Sequence, residues 1–262
     1  MESSITGQGT LTSFRSSCRC DTMIIDMHTH TGNRKIRMTL DDIGASMKRY
    51  GITKSVVFPM RQPIPNGVLN DSLKNLKSGD RRFYFFLRFN PKLTKLKELE
   101  QISGGFSGFK LHPRLENFDP LDKRFRSIFK HIEGQEKPVL IHSRKENNKY
   151  SDPDRIIILA SMYPGIKFVF GHFANDSDPF FDKALKYDNV FVETSIVSSP
   201  MLIELRVNQI GSDRILFGSD FPFSDQEIEL MKIRKSGLRE KDKRRILCEN
   251  AIRFLKRASK PI

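Results

Sequence analysis

The segment MIIDMHTH, Met23 to His30, sets two histidines two positions apart at the end of a short apolar run. Alternate side chains of a strand share a face, so His28 and His30 would project together toward a common point. Two imidazoles begin a metal site, and later apolar runs supply further candidates. KPVLIHS ends in His142 and Ser143, KFVFGHF carries His172, and RILFGSDFP delivers Asp220. Neutral imidazole and ionised carboxylate are the ligands that borderline divalent ions such as zinc prefer, and a catalytic ion keeps one position for water. Three imidazoles and one carboxylate would suffice.

Such residues need a scaffold that brings distant runs to one place. From Met23 onward, apolar strand-like runs alternate with helix-like segments, which favours an α/β architecture over strands followed by helices. Eight runs lie near residues 24–28, 54–59, 83–89, 106–112, 138–142, 167–171, 190–194 and 214–219. Residues 23–262 are therefore read as a single-domain (β/α)8 TIM barrel, whose usual length is about 250 residues. Helical connectors are expected over Asp41–Tyr50, Leu121–Ile132, Asp154–Met162 and Pro200–Gln209, with Thr39, Ser151 and Ser199 as caps and Pro153 and Pro200 in first turns. In such barrels the chemistry gathers at the C-terminal face of the strands, where His28, His30, His142, His172 and Asp220 all fall. His131 lies inside a helical segment and is read as a satisfied structural residue. Asp220 has the alternative reading of a cap on the helix after strand eight.

Composition narrows the class. No stretch approaches the ~18 consecutive apolar residues of a membrane span, and the default expectation is a soluble cytoplasmic protein. Three cysteines, Cys18, Cys20 and Cys248, outline no disulfide framework. Residues 1–22 are serine-rich and read as a disordered extension, with Met23 a candidate initiator. The net charge of +14 is concentrated from Lys232 to Ile262, which hold 12 Lys and Arg against Glu240, Asp242 and Glu249. A solvated helical surface accounts for that run, and no nucleic-acid motif accompanies it.

The HxH of His28 and His30, the strand-five His142, the strand-six His172, GSDFP from Gly218 to Pro222 and the closing ENAIRFL from Glu249 to Leu255 together resemble the amidohydrolase superfamily. Within it, the chain is similar to the amidohydrolase-related group that includes aminocarboxymuconate-semialdehyde decarboxylase-like enzymes, over roughly Met23 to Leu255. The resemblance implies that His28, His30, His142 and Asp220 ligate the metal, with His172 beside it in proton transfer or substrate polarisation. Zinc is the expected ion, one per chain, with manganese and a two-metal site as alternatives. Members of this group often form dimers, so a homodimer is compatible with the resemblance.

A divalent ion lowers the pKa of bound water toward ~7 and polarises a carbonyl, so the first expectation is hydrolysis of an amide, ester or lactone, with Asp220 accepting the water's proton. The alternative is decarboxylation of a small aromatic or unsaturated carboxylic acid on the same barrel. A TatD-like nuclease and a non-catalytic barrel are less favoured. GFKLHPR sets Lys110 and His112 on one face of strand four, where a bridge between two metals or a substrate contact are both open. Arg61, Arg88, Arg114, Arg144 and Lys145 follow strands and would face an anionic small-molecule substrate, with Arg88 and Arg114 the preferred pair.

Overall fold

Eight strands follow one another around the sheet in sequence order, each parallel to the next: β1 (Ile25–Thr31), β2 (Lys54–Pro59), β3 (Phe83–Arg88), β4 (Gly108–Leu111), β5 (Val139–Ile141), β6 (Phe168–Phe170), β7 (Val190–Glu193) and β8 (Ile215–Leu216). Helical segments fill the connections, as a parallel sheet requires, giving the (β/α)8 barrel expected from the alternating pattern. The computed structural model describes residues 23–33, 35–62, 66–147 and 149–255. The extension expected over residues 1–22, with Cys18 and Cys20, lies outside the described residues.

The barrel closes between β8 and β1. Met27 N–H donates to the Phe217 carbonyl and His30 N–H to the Phe221 carbonyl, each at 2.8 Å. A buried carboxylate reinforces this seam. Asp26 accepts from the backbone N–H groups of His28 and Ser219, both at 3.0 Å, from Ser219 Oγ at 2.5 Å and from Gln226 Nε2 at 3.0 Å. Burial pushes the Asp26 carboxyl up to about 7 in spite of these donors. The β1–β2 register shifts between Asp26 and Thr29, so a bulge flanks His28, the kind of irregularity that re-aims a side chain at a barrel rim.

Two apolar layers hold the strands. Outward residues such as Phe109, Leu111, Phe168 and Phe170 pack with the helices in one large cluster, and a smaller cluster joins Met27, Val56, Phe58, Phe86, Leu140, Val169 and Leu216 to Phe254 and Leu255 of the last helix. Phe86 shares a face with Arg88, and Leu140 with His142, because each pair is two residues apart. The smaller cluster is thus the floor on which the polar rim stands.

Helix starts follow local chemistry. Thr39 caps Leu40–Tyr50 in a capping box, its Oγ1 accepting from Asp42 N–H at 3.1 Å while Asp42 Oδ2 accepts from Thr39 N–H at 2.8 Å. Gly51, at φ 76°, ends that helix in the left-handed region a glycine enters without strain. Ser199 caps Pro200–Ile210 as expected. Ser151 does not cap: Asp152 takes that place before Pro153, and Ser151 Oγ instead accepts from Arg114 N–H at 3.1 Å. His131 is half-buried, its Nε2 3.0 Å from Ser103 Oγ. Within the basic C-terminal run, Lys232, Arg239, Lys243 and Arg244 are each paired with an acidic side chain.

Candidate metal centre

Seven of the eight strands deliver a polar side chain to one rim. β1 brings His28 and His30, β3 Arg88, β4 Lys110 followed by His112, β7 Glu193, and the residues just beyond β5, β6 and β8 bring His142, His172 and Asp220. β2 contributes Phe58, whose ring lies 5.2 Å from that of His28 and 4.6 Å from that of His30. All of these are buried. The five histidines, Arg88, Lys110 and Asp220 line a pocket of about 820 Å³, shared with Asn33, Arg61, Arg114, Arg144, Glu146 and Phe223, while Glu193 and Phe58 lie behind its wall.

At its base, three acceptor atoms converge. His28 Nε2 and His30 Nε2 are 3.1 Å apart, and Asp220 Oδ1 lies 3.2 Å from the first and 3.0 Å from the second. Atoms bound about 2.0–2.1 Å from one ion sit roughly 3.0–3.4 Å from each other, so the spacing suits a shared cation. His28, His172 and Asp220 also form a group whose ligand atoms lie within 4.8 Å of one another. His172 Nδ1 stands 4.0 Å from Asp220 Oδ2, and its Nε2 is 2.8 Å from His142 Nδ1. His142 Nε2 is buried with no hydrogen-bond partner among the described residues. The structure therefore brings together His28, His30, His142, His172 and Asp220, with His172 farther from Asp220 than either histidine of β1.

Electrostatics favour neutral rings. Burial holds His28, His30, His112, His142 and His172 well below 6.5; the Lys110 charge adds to the effect on His28, His30 and His142, and neighbouring imidazoles add to it on His112 and His172. Neutral imidazole is the form that offers a lone pair to a metal. The donor set fits a divalent cation on this chemistry as well as on its spacing.

Lys110 is fully buried, its Nζ 3.3 Å from His28 Nε2 and 4.6 Å from the centre of the Phe58 ring. Burial and then the Arg88 charge push its amine down to about 7. His112 stacks on His142 with ring centres 3.8 Å apart. Arg88 is 1% exposed; its Nε donates to Glu116 Oε1 at 2.9 Å and its Nη1 to the Pro59 carbonyl at 2.9 Å, while Nη2 has no partner among the described residues. Arg114 differs from it, standing at the half-exposed rim in an ion pair with Glu146. Lys145 does not line the pocket and pairs with Asp154 at 2.7 Å.

Two backbone features mark the site. Asp220 sits at φ 57°, and His172 to Asp176 form five consecutive non-glycine residues with φ between 47° and 56°. Left-handed residues cost on the order of 1–2 kcal/mol each, so such a turn must be held from outside. Arg206, 4% exposed, does this by donating to Asp176 Oδ1 at 2.7 Å and to the Asp176 carbonyl at 3.2 Å.

Glu193 and Glu116 are not among the residues expected at the site from the sequence. Glu193 closes the apolar run VFVE of β7 in the way Asp220 follows β8, so strand-end position was a usable signal. Glu116 lies in a turn and carried none.

The sequence profile of the amidohydrolase family matches residues 25–257. Over 72 residues the chain is 31% identical to 2-amino-3-carboxymuconate-6-semialdehyde decarboxylase of Caenorhabditis elegans, an alignment spanning 27% of this chain and only 18% of that one. In fold it is similar to 5-carboxyvanillate decarboxylase of Sphingomonas paucimobilis, with a TM-score of 0.71 at 14% identity, covering 90% of this chain and 99% of the other. It is likewise similar to a dihydroxybenzoic acid decarboxylase of Polaromonas sp. JS666, whose structure holds manganese and 2-nitroresorcinol, with a TM-score of 0.70 at 15% identity, covering 90% and 97%.

Proposed function

Because the chain belongs to the amidohydrolase family, we propose that it is a metal-dependent decarboxylase of a small aromatic or unsaturated carboxylic acid. The observation that carries this reading is the pairing, in one buried pocket, of a cation-ready cluster with two buried basic side chains, Arg88 and Lys110. The first would hold a divalent ion and the second an acid. Hydrolysis was the first expectation from the sequence; the named relatives support the alternative better, since those in sequence and in fold alike are decarboxylases.

His28, His30, Asp220 and His142 would hold one divalent ion, zinc or manganese, with His172 beside it. When bound, such an ion supplies Lewis-acid polarisation of a substrate oxygen. Arg88 Nη2, which has no partner among the described residues on a guanidinium already fixed by Glu116 and Pro59, would take an anionic group of the substrate, with Arg114 receiving it at the rim. In the reaction the bond to the carboxylate breaks, carbon dioxide leaves, and the electron pair stays on carbon until a proton arrives. His172 and the outer oxygen of Asp220, 4.0 Å apart, are placed to hold and deliver that proton.

The test is a panel of aromatic and unsaturated acids labelled with ¹³C at the carboxyl, incubated with manganese- or zinc-loaded protein beside amides, esters and lactones. Labelled carbon dioxide, lost in Asp220→Asn, is expected. Metal-dependent ester, amide or lactone cleavage with no carbon dioxide from any acid would return the reading to hydrolysis.

A further inference from the structure

Glu193 is fully buried and surrounded by donors. Its Oε1 accepts from His28 Nδ1 at 2.8 Å, from the backbone N–H of His172 at 2.7 Å and from Ser195 Oγ at 2.8 Å, and its Oε2 accepts from Ser195 N–H at 2.7 Å. Ser195 Oγ also lies 3.0 Å from His172 Nδ1. Carboxylates have no proton to give in their ionised form, so the directions of these bonds are set from Glu193 outward.

Following them fixes three imidazoles. His28 must carry its proton on Nδ1, which leaves a lone pair on Nε2, the atom facing His30 and Asp220. The single hydroxyl proton of Ser195 goes to Glu193, so Ser195 Oγ receives the Nδ1 proton of His172. His172 Nε2 is then an acceptor, and His142 Nδ1, 2.8 Å away, must be the donor. That leaves the lone pair of His142 on Nε2, a buried atom with no hydrogen-bond partner among the described residues, 3.6 Å from Glu146 Oε2. One anchored carboxylate thus leaves Nε2 as the unprotonated nitrogen of both His28 and His142, the first beside His30 and Asp220 and the second on the side of Glu146.

The surrounding backbone is shaped for this carboxylate. A Cβ built at Gly218 would fall far inside contact distance of Glu193 Oε2, and one built at Gly171 would lie 3.3 Å from Oε1. The strand ends on both sides of β7 are therefore free of side chains where the Glu193 head sits.

We propose that Glu193, with Ser195 as its relay, is the positioning residue of the metal centre: it selects the tautomers of His28, His172 and His142 that leave Nε2 of His28 and of His142 free to bind an ion. This rests on the metal-binding reading above, and extends it to residues outside the ligand set. Partners of this kind that orient a ligating histidine are worth about 10–100-fold in metal affinity.

The experiment is a Mn²⁺ titration, read by loss of the free-ion electron paramagnetic resonance signal, on chelator-stripped wild type, Glu193→Gln and Ser195→Ala, each checked for folding by circular dichroism. Glutamine keeps the size of Glu193 but puts an amide donor against a donor. Glu193→Gln is expected to weaken Mn²⁺ binding by about 10–100-fold, and Ser195→Ala by less, because the bond from His28 survives. A role confined to satisfying backbone N–H groups would lower the melting temperature of the stripped protein and leave Mn²⁺ affinity at the wild-type value; that outcome overturns the proposal. Should Glu193→Gln fail to fold, unchanged affinity in folded Ser195→Ala overturns the relay. A wild type that binds no Mn²⁺ or Zn²⁺ overturns the metal reading itself, a result distinct from unaltered variants.

Discussion

Arg88→Met tests whether the buried pair of Arg88 and Glu116 serves the substrate or the fold. Both side chains are almost wholly buried, 1% and 5% exposed, and meet at 2.9 Å. Removing one partner of such a pair costs about 3–5 kcal/mol, because the other charge is left without compensation, whereas replacing both by apolar groups of similar volume is often neutral. The lower end applies here, since burial already pushes the Glu116 carboxyl upward and it can take a proton when Arg88 is gone. At about 2–4 °C per kcal/mol for a chain of this size, about 3 kcal/mol should lower the melting temperature of the single variant by roughly 6–12 °C. A carboxyl whose folded pKa lies above its unfolded value of 4.5 contributes stability below that value, and loses it as pH rises through the folded value. The deficit of Arg88→Met should therefore be larger at pH 8 than at pH 5. Arg88→Met/Glu116→Leu should recover most of the melting temperature while the KM for an acid substrate stays raised. The assay is thermal and urea unfolding of metal-free protein at both pH values, beside substrate kinetics of the loaded protein. A double variant as unstable as the sum of the singles, or one with unaltered KM, would refute the reasoning.

Two further outcomes are expected. Natively purified wild type should carry close to one divalent ion per chain by inductively coupled plasma mass spectrometry, and His28→Ala should lose it; two ions would reopen a bridging role for Lys110. Asp26→Ala removes a carboxylate that accepts four hydrogen bonds, three of them from Ser219 and Gln226 across the β1–β8 seam, and leaves buried donors unpaired at about 1–3 kcal/mol each. The unfolding free energy should fall by at least about 3 kcal/mol, and a loss below about 1 kcal/mol would show that the barrel closes without this latch.

The sequence determined the barrel and most of its rim. Apolar runs at short intervals force strands, the intervening amphipathic segments force crossovers, and all eight predicted strands overlap observed ones. Period two then sends His28 and His30, or Lys110 and His112, to a common face whatever the surroundings. Ligand type was equally legible, because imidazole and carboxylate at strand ends are visible in the letters. Tertiary structure decided what no spacing encodes: that Arg88 is sunk in an ion pair with Glu116, 28 residues away, while Arg114 stays at the mouth; that Asp152 rather than Ser151 starts the helix after β5; and that Glu193 reaches His28 across 165 residues. Local sequence fixes which face a side chain takes. Partners across the barrel are set only once the sheet closes, when burial makes an unpaired donor or charge costly and selects the one arrangement in which the buried groups answer each other.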